Sequence, residues 1–150
     1  MPATDLIIAA VYMAALLIFK KKEFLTCFAA FVITFVIAEL FKELFSVNDG
    51  GIECLYFLIL SAIWLACSNL VESNKIKIAI IAMSAYEMLC GIESFIWQFV
   101  QPVLTPVISN YIINVIFLHV VILSSIYRWG VKIERDSSYT INSFNNRIHH

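Results

Sequence analysis

The sequence predicts an all-α membrane protein, a bundle of five transmembrane helices (four possible), on the strength of three observations. Of its 150 residues, 61% are hydrophobic and 14% are charged, whereas soluble domains are about half apolar and about a quarter charged. The apolar residues fall into five segments, most of them near the 20 or so residues that a helix needs to cross hydrocarbon. Because unpaired backbone groups cannot remain in lipid, each spanning segment must be helical.

The five segments are separated by short polar breaks. In order, the segments are 4–19, 24–45, 52–71, 76–99 and 107–127. The breaks contain the charges, glycines and prolines that end helices, in "KKKE" (20–23), "NDGG" (48–51), "ESNK" (72–75) and "QPVLTP" (101–106). The first segment is the shortest, so a four-helix bundle is the alternative.

Basic residues predict the orientation, because cytoplasmic loops are enriched in Lys and Arg. With the N-terminus outside and the C-terminus cytoplasmic, the inner loops and the tail hold nine of the ten basic residues, and only Lys42 lies toward the outer side. Trp97 and Tyr111 then lie near outer helix ends, and Tyr127 and Trp129 near an inner end, as interfacial aromatics do. A four-span bundle breaks this alternation.

The chain therefore divides into a helical bundle, 1–127, and a short polar cytoplasmic tail, 128–150. Its many Ile, Phe, Lys and Asn residues suggest a bacterial or phage source, and hence the bacterial inner membrane. His149 and His150 at the terminus are native or the start of an expression tag, and we assign them no function. Three of the four cysteines lie inside apolar segments and are expected to act as small apolar residues, whereas Cys54 lies near a segment end, where it can meet another thiol although the sequence does not require it.

Ionisable and amide side chains within the apolar segments are the candidate functional residues. They are Glu87, Glu93, His119, Glu39, Lys42 and Asn114. A lone carboxylate at the bilayer centre costs at least about 2.5–3.5 kcal/mol, so such groups face the bundle interior or mark an ion path. The same groups can instead hold helices together. Both interpretations stay open for Glu87, and helix association is favoured for the others.

Counting residues from the segment ends predicts which of these groups lie at the same depth. Glu87 and His119 both fall near the middle of the membrane, so a contact between them is geometrically possible. We expect Glu87 either to carry a proton or to be hydrogen-bonded to His119 or a water. Lys42 and Glu93 lie together in the outer part, where they can pair if their helices are neighbours.

Small residues recur every four positions along the second segment. The stripe comprises Thr26, Ala30, Thr34, Ala38 and Lys42. Such stripes let helices approach closely. Two shorter stripes, Ala10 with Ala14 and Ala62 with Ala66, predict the same packing in the first and third segments.

Motifs give no support for an enzyme, since the sequence contains no G-x-S-x-G, H-E-x-x-H, P-loop or G-x-G-x-x-G. No cofactor, metal site or nucleic-acid partner is expected. Continuous helices with few Gly and Pro also disfavour an elaborate transporter. Two functions remain: an oligomeric ion-conducting or permeability pathway lined by intramembrane acids, which we favour, or a non-conducting membrane adaptor that binds a larger partner's helices. The chain resembles phage holins only in size, span number and charged tail, and no motif assigns it to them.

Overall fold

The computed structural model describes residues 2–44, 50–99 and 110–133, which form five α-helices. The helices are α1 (Pro2–Phe19), α2 (Lys22–Leu44), α3 (Gly50–Asn69), α4 (Asn74–Phe99) and α5 (Tyr111–Trp129). Each predicted segment therefore contains one helix. Several predicted features lie outside the described residues, namely the "QPVLTP" break, Arg135, Arg147, His149, His150 and the side chain of Trp97.

Four of these helices are long and apolar enough to cross a membrane, and they mark the chain as a membrane protein. The four stretches are Lys22–Leu44, Ile52–Asn69, Asn74–Ile96 and Tyr111–Trp129. Helix α1 is apolar but shorter. Its 18 residues extend about 27 Å at about 1.5 Å per residue, close to the hydrocarbon thickness of about 30 Å.

Three segments meet at one end of the bundle, which we call the basic end. They are residues 20–23, 72–75 and 129–133. The Lys22 ammonium lies 3.5 Å from a Glu72 carboxylate oxygen, and the Lys75 ammonium lies 4.7 Å from the centre of the Trp129 ring. Consecutive helices therefore run in opposite directions, and both α1 and α5 end at the basic end.

The start of the tail is hydrogen-bonded to the turn between α1 and α2. The Lys22 N–H donates to the Val131 carbonyl at 3.0 Å, and the Ile133 N–H donates to the Lys20 carbonyl at 2.8 Å. Lys20 adopts a φ of 54°, in the left-handed region that allows the chain to turn sharply there. The chain from Gly130 to Ile133 thus packs under the bundle, and α5 ends two residues beyond the predicted boundary at Tyr127.

Two side chains of the "KKKE" segment reinforce this contact. Lys21 donates to the carbonyls of Ile126 and Tyr127, at the C-terminal end of α5, where the helix dipole favours a cation. Glu23 is buried, and its Oε2 accepts a hydrogen bond of 2.9 Å from the Val131 N–H. The predicted break is therefore only two residues long, because Lys22 and Glu23 already belong to α2.

Glu23→Ala is expected to release the start of the tail from the bundle. Hydrogen bonds to charged groups contribute about 1.5–3 kcal/mol, so the Val131 amide should exchange with solvent at least about tenfold faster. Hydrogen–deuterium exchange of the segment around residues 129–133 measures this change. Glu72→Ala is the control, because Glu72 is an exposed acid at the same end that pairs with Lys22. Equal exchange rates of the Val131 amide in Glu23→Ala and Glu72→Ala would contradict the role of Glu23 in holding the start of the tail.

Helices α3 and α4 form the tightest pair in the bundle. The Ser61 hydroxyl donates to the Ser84 carbonyl at 2.8 Å, and the Ser84 hydroxyl donates to the Ser61 carbonyl at 2.7 Å. Further along the same interface, Gly91 lies against the Cys54 carbonyl and the Phe57 side chain. Small residues let the two backbones approach, which stabilises helix pairs in lipid.

The bundle differs in packing between its two halves. Toward the basic end, a continuous apolar core fills the space between the helices. Its fully buried members include Phe24, Cys27, Ile76, Ile80, Met83, Ile122 and Ile126. The other half contains most of the buried polar groups and an internal cavity. Most of the buried polar groups therefore lie in the half that faces away from the basic end, and Glu23, Ser68 and Ser125 are the buried exceptions toward the basic end.

Candidate intramembrane site

An internal cavity of about 180 Å³, which we call the central cavity, extends into the bundle as far as Glu87, near the middle of α4. Its lining residues are Asp5, Phe31, Thr34, Phe35, Ala38, Lys42, Tyr56, Leu60, Trp64, Glu87, Tyr111, Val115 and His119. All five helices contribute to it. A polar cavity of this volume has room for several water molecules.

Glu87 provides the acid at the middle of α4. Its side chain is 2% exposed, and the Tyr111 hydroxyl donates to both of its carboxylate oxygens, at 2.9 and 3.1 Å. Beside this pair, the Asn114 amide donates to the Tyr86 hydroxyl at 3.1 Å, and the rings of Tyr86 and Tyr111 stack with centroids 5.9 Å apart. A layer of hydrogen-bonded polar groups therefore shields the carboxylate from lipid.

His119 lies in the opposite wall, enclosed by aromatic rings. It shares a hydrogen bond of 2.8 Å with the Tyr12 hydroxyl through Nδ1. The rings of Tyr12, Phe31 and Trp64 meet the imidazole edge to face, with centroids 5.3–5.6 Å away. This aromatic group closes the central cavity on the side of the packed half, and Cys27 and Cys67 lie one helical turn beyond it.

Glu87 and His119 line the same cavity, but each is hydrogen-bonded to a tyrosine and not to the other. Glu87 is bonded to Tyr111, and His119 is bonded to Tyr12. Counting along helices does not specify which way each side chain points. The hydrogen-bond partner of Glu87 is the Tyr111 hydroxyl, which the sequence analysis does not name.

The remaining predicted site residues occupy three different environments. Lys42 lines the cavity and donates to Glu39 of its own helix at 3.3 Å, and both side chains are about half exposed. Glu93 is buried within α4, which packs against α3 and α5, whereas α2 packs against α1 and α3. The pairing of Lys42 with Glu93 therefore stays a prediction. Asn114 is bonded to Tyr86 beside Glu87.

Small-residue stripes were predicted with mixed success. On α2, Ala30 and Thr34 are buried, and Ala38 and Lys42 line the central cavity with Thr34, so this stripe faces the interior as expected. The prediction that the two shorter stripes pack within the bundle is wrong. Their members, Ala10, Ala14, Ala62 and Ala66, are exposed on the outer surface of α1 and α3.

Sequence reasoning missed the tyrosines that complete the site. Tyr12 was not considered, and Tyr111 was assigned to the membrane interface, where its hydroxyl would reach water. In the structure both hydroxyls bond buried ionisable groups of other helices. The signal was present, because a tyrosine inside an apolar segment carries a hydroxyl that also needs a partner.

Carboxylate and other metal-binding groups are dispersed across the described parts of the chain. Within residues 2–44, 50–99 and 110–133, no three His, Cys, Asp or Glu side chains are grouped to hold a metal ion. The cysteines described are free thiols, with Cys27 and Cys67 separated by 4.0 Å between their sulfur atoms.

Comparison with known proteins yields no relative, since no family model, no curated protein and no solved structure matches this chain. Its class is therefore defined by the fold and the site alone. It is a polytopic helical membrane protein with a buried carboxylate and a histidine facing one internal cavity.

Proposed function

We propose that this protein provides a permeability pathway for a small cation or a proton across a membrane, and that the path passes Glu87. The observation that carries the proposal is the buried carboxylate at the middle of a membrane-length helix, facing a cavity inside the bundle. Intramembrane acids and histidines that face an interior cavity are typical of ion paths and proton relays. Acidic side chains along a path also favour cations over anions.

A path within each copy of the chain is the arrangement that we favour. The sequence alone favours an oligomeric pathway lined by intramembrane acids. Glu87 and Glu93 are instead buried within a single chain, and the central cavity is lined by all five of its helices. An oligomer is therefore not required to form the path.

The proposed orientation has five crossings, an outside N-terminus and the basic end in the cytoplasm. Seven basic residues of the described chain support it, and they all lie at the basic end: Lys20, Lys21, Lys22, Lys75, Lys77, Arg128 and Lys132. Lys42 lies near the other end of the bundle. The positive-inside rule assigns such an end to the cytoplasm, and the bacterial inner membrane is the proposed location.

A membrane adaptor is the second candidate function. Its supporting observation is the pair Glu39 and Lys42, whose side chains are 49% and 54% exposed in the span of α2. Charged groups that are half exposed within a span are stabilised when a partner helix covers them. A larger membrane protein could use this pair for recognition, with the central cavity then having only a structural role.

Glu87→Gln is the variant that tests the pathway. The amide keeps the size and the hydrogen bond from Tyr111 but cannot carry a negative charge, so we expect proton or potassium flux to fall at least about tenfold, equivalent to about 1.4 kcal/mol. Flux is measured in reconstituted vesicles, with an internal pH dye for protons and a potassium gradient in a second series.

The matched control is Glu72→Gln, which changes an exposed acid in the loop between α3 and α4 and should leave flux unchanged. Circular dichroism verifies that all variants retain their helices. Absence of flux from folded wild-type protein would reject the pathway and favour the adaptor. Wild-type flux in Glu87→Gln would show that the ion does not pass this carboxylate.

A further inference from the structure

We infer that the central cavity is built for an organic ammonium ion, with the positive charge beside Glu87 and the alkyl groups against the surrounding aromatic rings. This inference deepens the proposed function and rests on it only where transport is concerned, because binding can be measured without any gradient. Four observations carry it. They are the aromatic lining of the cavity, the charged residues around it, the lack of a group of metal-binding side chains at Glu87 among the described residues, and a side cavity between α2 and α3.

Aromatic side chains form a large part of the cavity wall. Phe31, Phe35, Tyr56, Trp64 and Tyr111 line it together with the Glu87 carboxylate. The electron-rich faces of Trp, Tyr and Phe attract cations within about 6 Å, and aromatic cages of this kind recognise quaternary ammonium groups. An ammonium with alkyl substituents uses both parts of this wall, because its charge meets the acid and its methyl groups contact the rings.

Charged residues around the cavity favour a cation. Asp5 and Glu87 contribute two carboxylates, and Lys42 contributes one ammonium group, which is also bonded to Glu39. The Glu87 carboxylate accepts one O–H from Tyr111, and a carboxylate has about four lone-pair sites. Glu87 therefore keeps acceptor capacity for a cation after its bond to Tyr111 is made.

A dehydrated metal ion is less well served by the same site. Calcium takes about six to eight oxygen ligands, and magnesium needs a near-ideal octahedron. In the part of the chain that the structure describes, Glu87 belongs to no group of three His, Cys, Asp or Glu side chains. Aromatic rings from α2, α3 and α5 line the same cavity, and such rings solvate an organic cation better than a dehydrated metal ion.

A side cavity of about 140 Å³ adjoins the central cavity between α2 and α3. It is lined by Ala38, Phe41, Lys42, Ile52, Glu53, Tyr56 and Phe57. Ala38, Lys42 and Tyr56 belong to both cavities. The side cavity thus offers apolar walls and an acid along a route into the bundle from between two helices. An amphiphilic cation matches such a route, since it concentrates at the membrane interface.

Choline and 3,3-dimethylbutan-1-ol provide a matched pair of probes, because they have the same shape and differ in charge. The experiment uses the full chain in lipid nanodiscs with Trp97 and Trp129 replaced by Phe, so that Trp64 in the cavity wall is the single tryptophan. Each probe is titrated while Trp64 fluorescence is recorded. We expect choline to bind with a dissociation constant at least about tenfold below that of the alcohol, the cation–π and carboxylate contacts providing the difference.

Glu87→Gln should remove the preference for choline, and Glu72→Gln should retain it. Equal constants for the two probes, or a preference that survives in Glu87→Gln, would overturn the inference, as would an unchanged Trp64 signal in folded protein. Potassium or proton flux without choline binding would reject the organic ammonium and leave the pathway standing. Choline binding without any flux would reject the pathway and leave a binding site.

Discussion

Gly91→Leu is expected to cause the largest loss of stability of any single substitution in the α3–α4 interface. A β-carbon added at Gly91 would already lie 3.3 Å from both the Cys54 carbonyl oxygen and the Phe57 β-carbon. The rest of a leucine side chain has no space unless the two helices separate. Overpacking costs about 1–3 kcal/mol in close-packed interiors, and separation would also break the serine hydrogen bonds.

The hydrogen bonds between Ser61 and Ser84 give a reference for the size of this loss of stability. Hydrogen bonds between membrane helices average about 0.6 kcal/mol, so losing one of the two bonds between Ser61 and Ser84 costs less than forcing α3 away from α4. Unfolding in mixed detergent micelles, followed by circular dichroism as the fraction of sodium dodecyl sulfate rises, measures the difference. Gly91→Leu should unfold at a clearly lower fraction than the wild type.

Ala82→Leu is the matched control, since it enlarges a side chain on the same helix at an exposed position. The added carbons enter lipid there, so stability should hardly change. If Gly91→Leu unfolded together with Ala82→Leu and the wild type, the close approach of α4 to α3 at Gly91 would be disproved.

The helices themselves could be predicted from the sequence because lipid imposes a simple requirement. Every backbone group must be paired in hydrocarbon, so a sufficiently long apolar segment becomes a helix whatever its neighbours are. Errors occur at the ends, where charged residues were read as breaks. Lys22 and Glu23 start α2, and Asn74 and Lys75 start α4. Lys22 and Lys75 are exposed there, because helix ends at the interface contact water and tolerate charge, whereas Glu23 is buried against the start of the tail.

Rotation of each helix about its axis could not be predicted in the same way. The outward-facing pair Ala62 and Ala66 shows why, since lipid accepts small and large apolar side chains alike. Counting from the helix ends was more successful in one respect, since Glu87 and His119 do line one cavity. Their hydrogen-bond donors, Tyr111 and Tyr12, depend on rotation and on which helices are neighbours, and neither is encoded in the spacing along a single helix.

Burial of Glu23 illustrates a different limit. It belongs to a run of charged residues, and such runs are usually solvated. In the structure its carboxylate accepts a hydrogen bond from Val131, more than one hundred residues further along the chain. A contact over that separation arises only from the antiparallel arrangement of all five helices, so no local pattern can indicate it.

Trp64→Ala is expected to open the path that the aromatic group around His119 closes. Trp64 is 2% exposed, and it lines the central cavity at the boundary with the packed half. Removing the indole leaves a void that joins the cavity and extends it by about one helical turn toward Cys67 and the basic end. Because His119 lies 5.5 Å from the Trp64 ring, the void has a polar wall that can hold water.

This substitution should leave the bundle folded. Replacing a buried Trp by Ala costs about 3–5 kcal/mol in water-soluble cores, but part of that cost is the transfer of apolar surface from water. In a bilayer the unfolded helices already lie in lipid, so mainly the packing contribution is lost. Retained helicity and a moderate fall in detergent resistance are therefore expected.

Cation flux through Trp64→Ala should exceed wild-type flux at least about tenfold in reconstituted vesicles, since a barrier lowered by about 1.4 kcal/mol gives that factor. Trp129→Ala, which removes an exposed indole at the basic end, should leave flux unchanged. The double variant Trp64→Ala/Glu87→Gln should lose most of the gain, because the enlarged path still leads past Glu87. A double variant that conducts like Trp64→Ala would mean that the new void bypasses this carboxylate, and unchanged flux in folded Trp64→Ala would mean that the barrier lies elsewhere in the packed half.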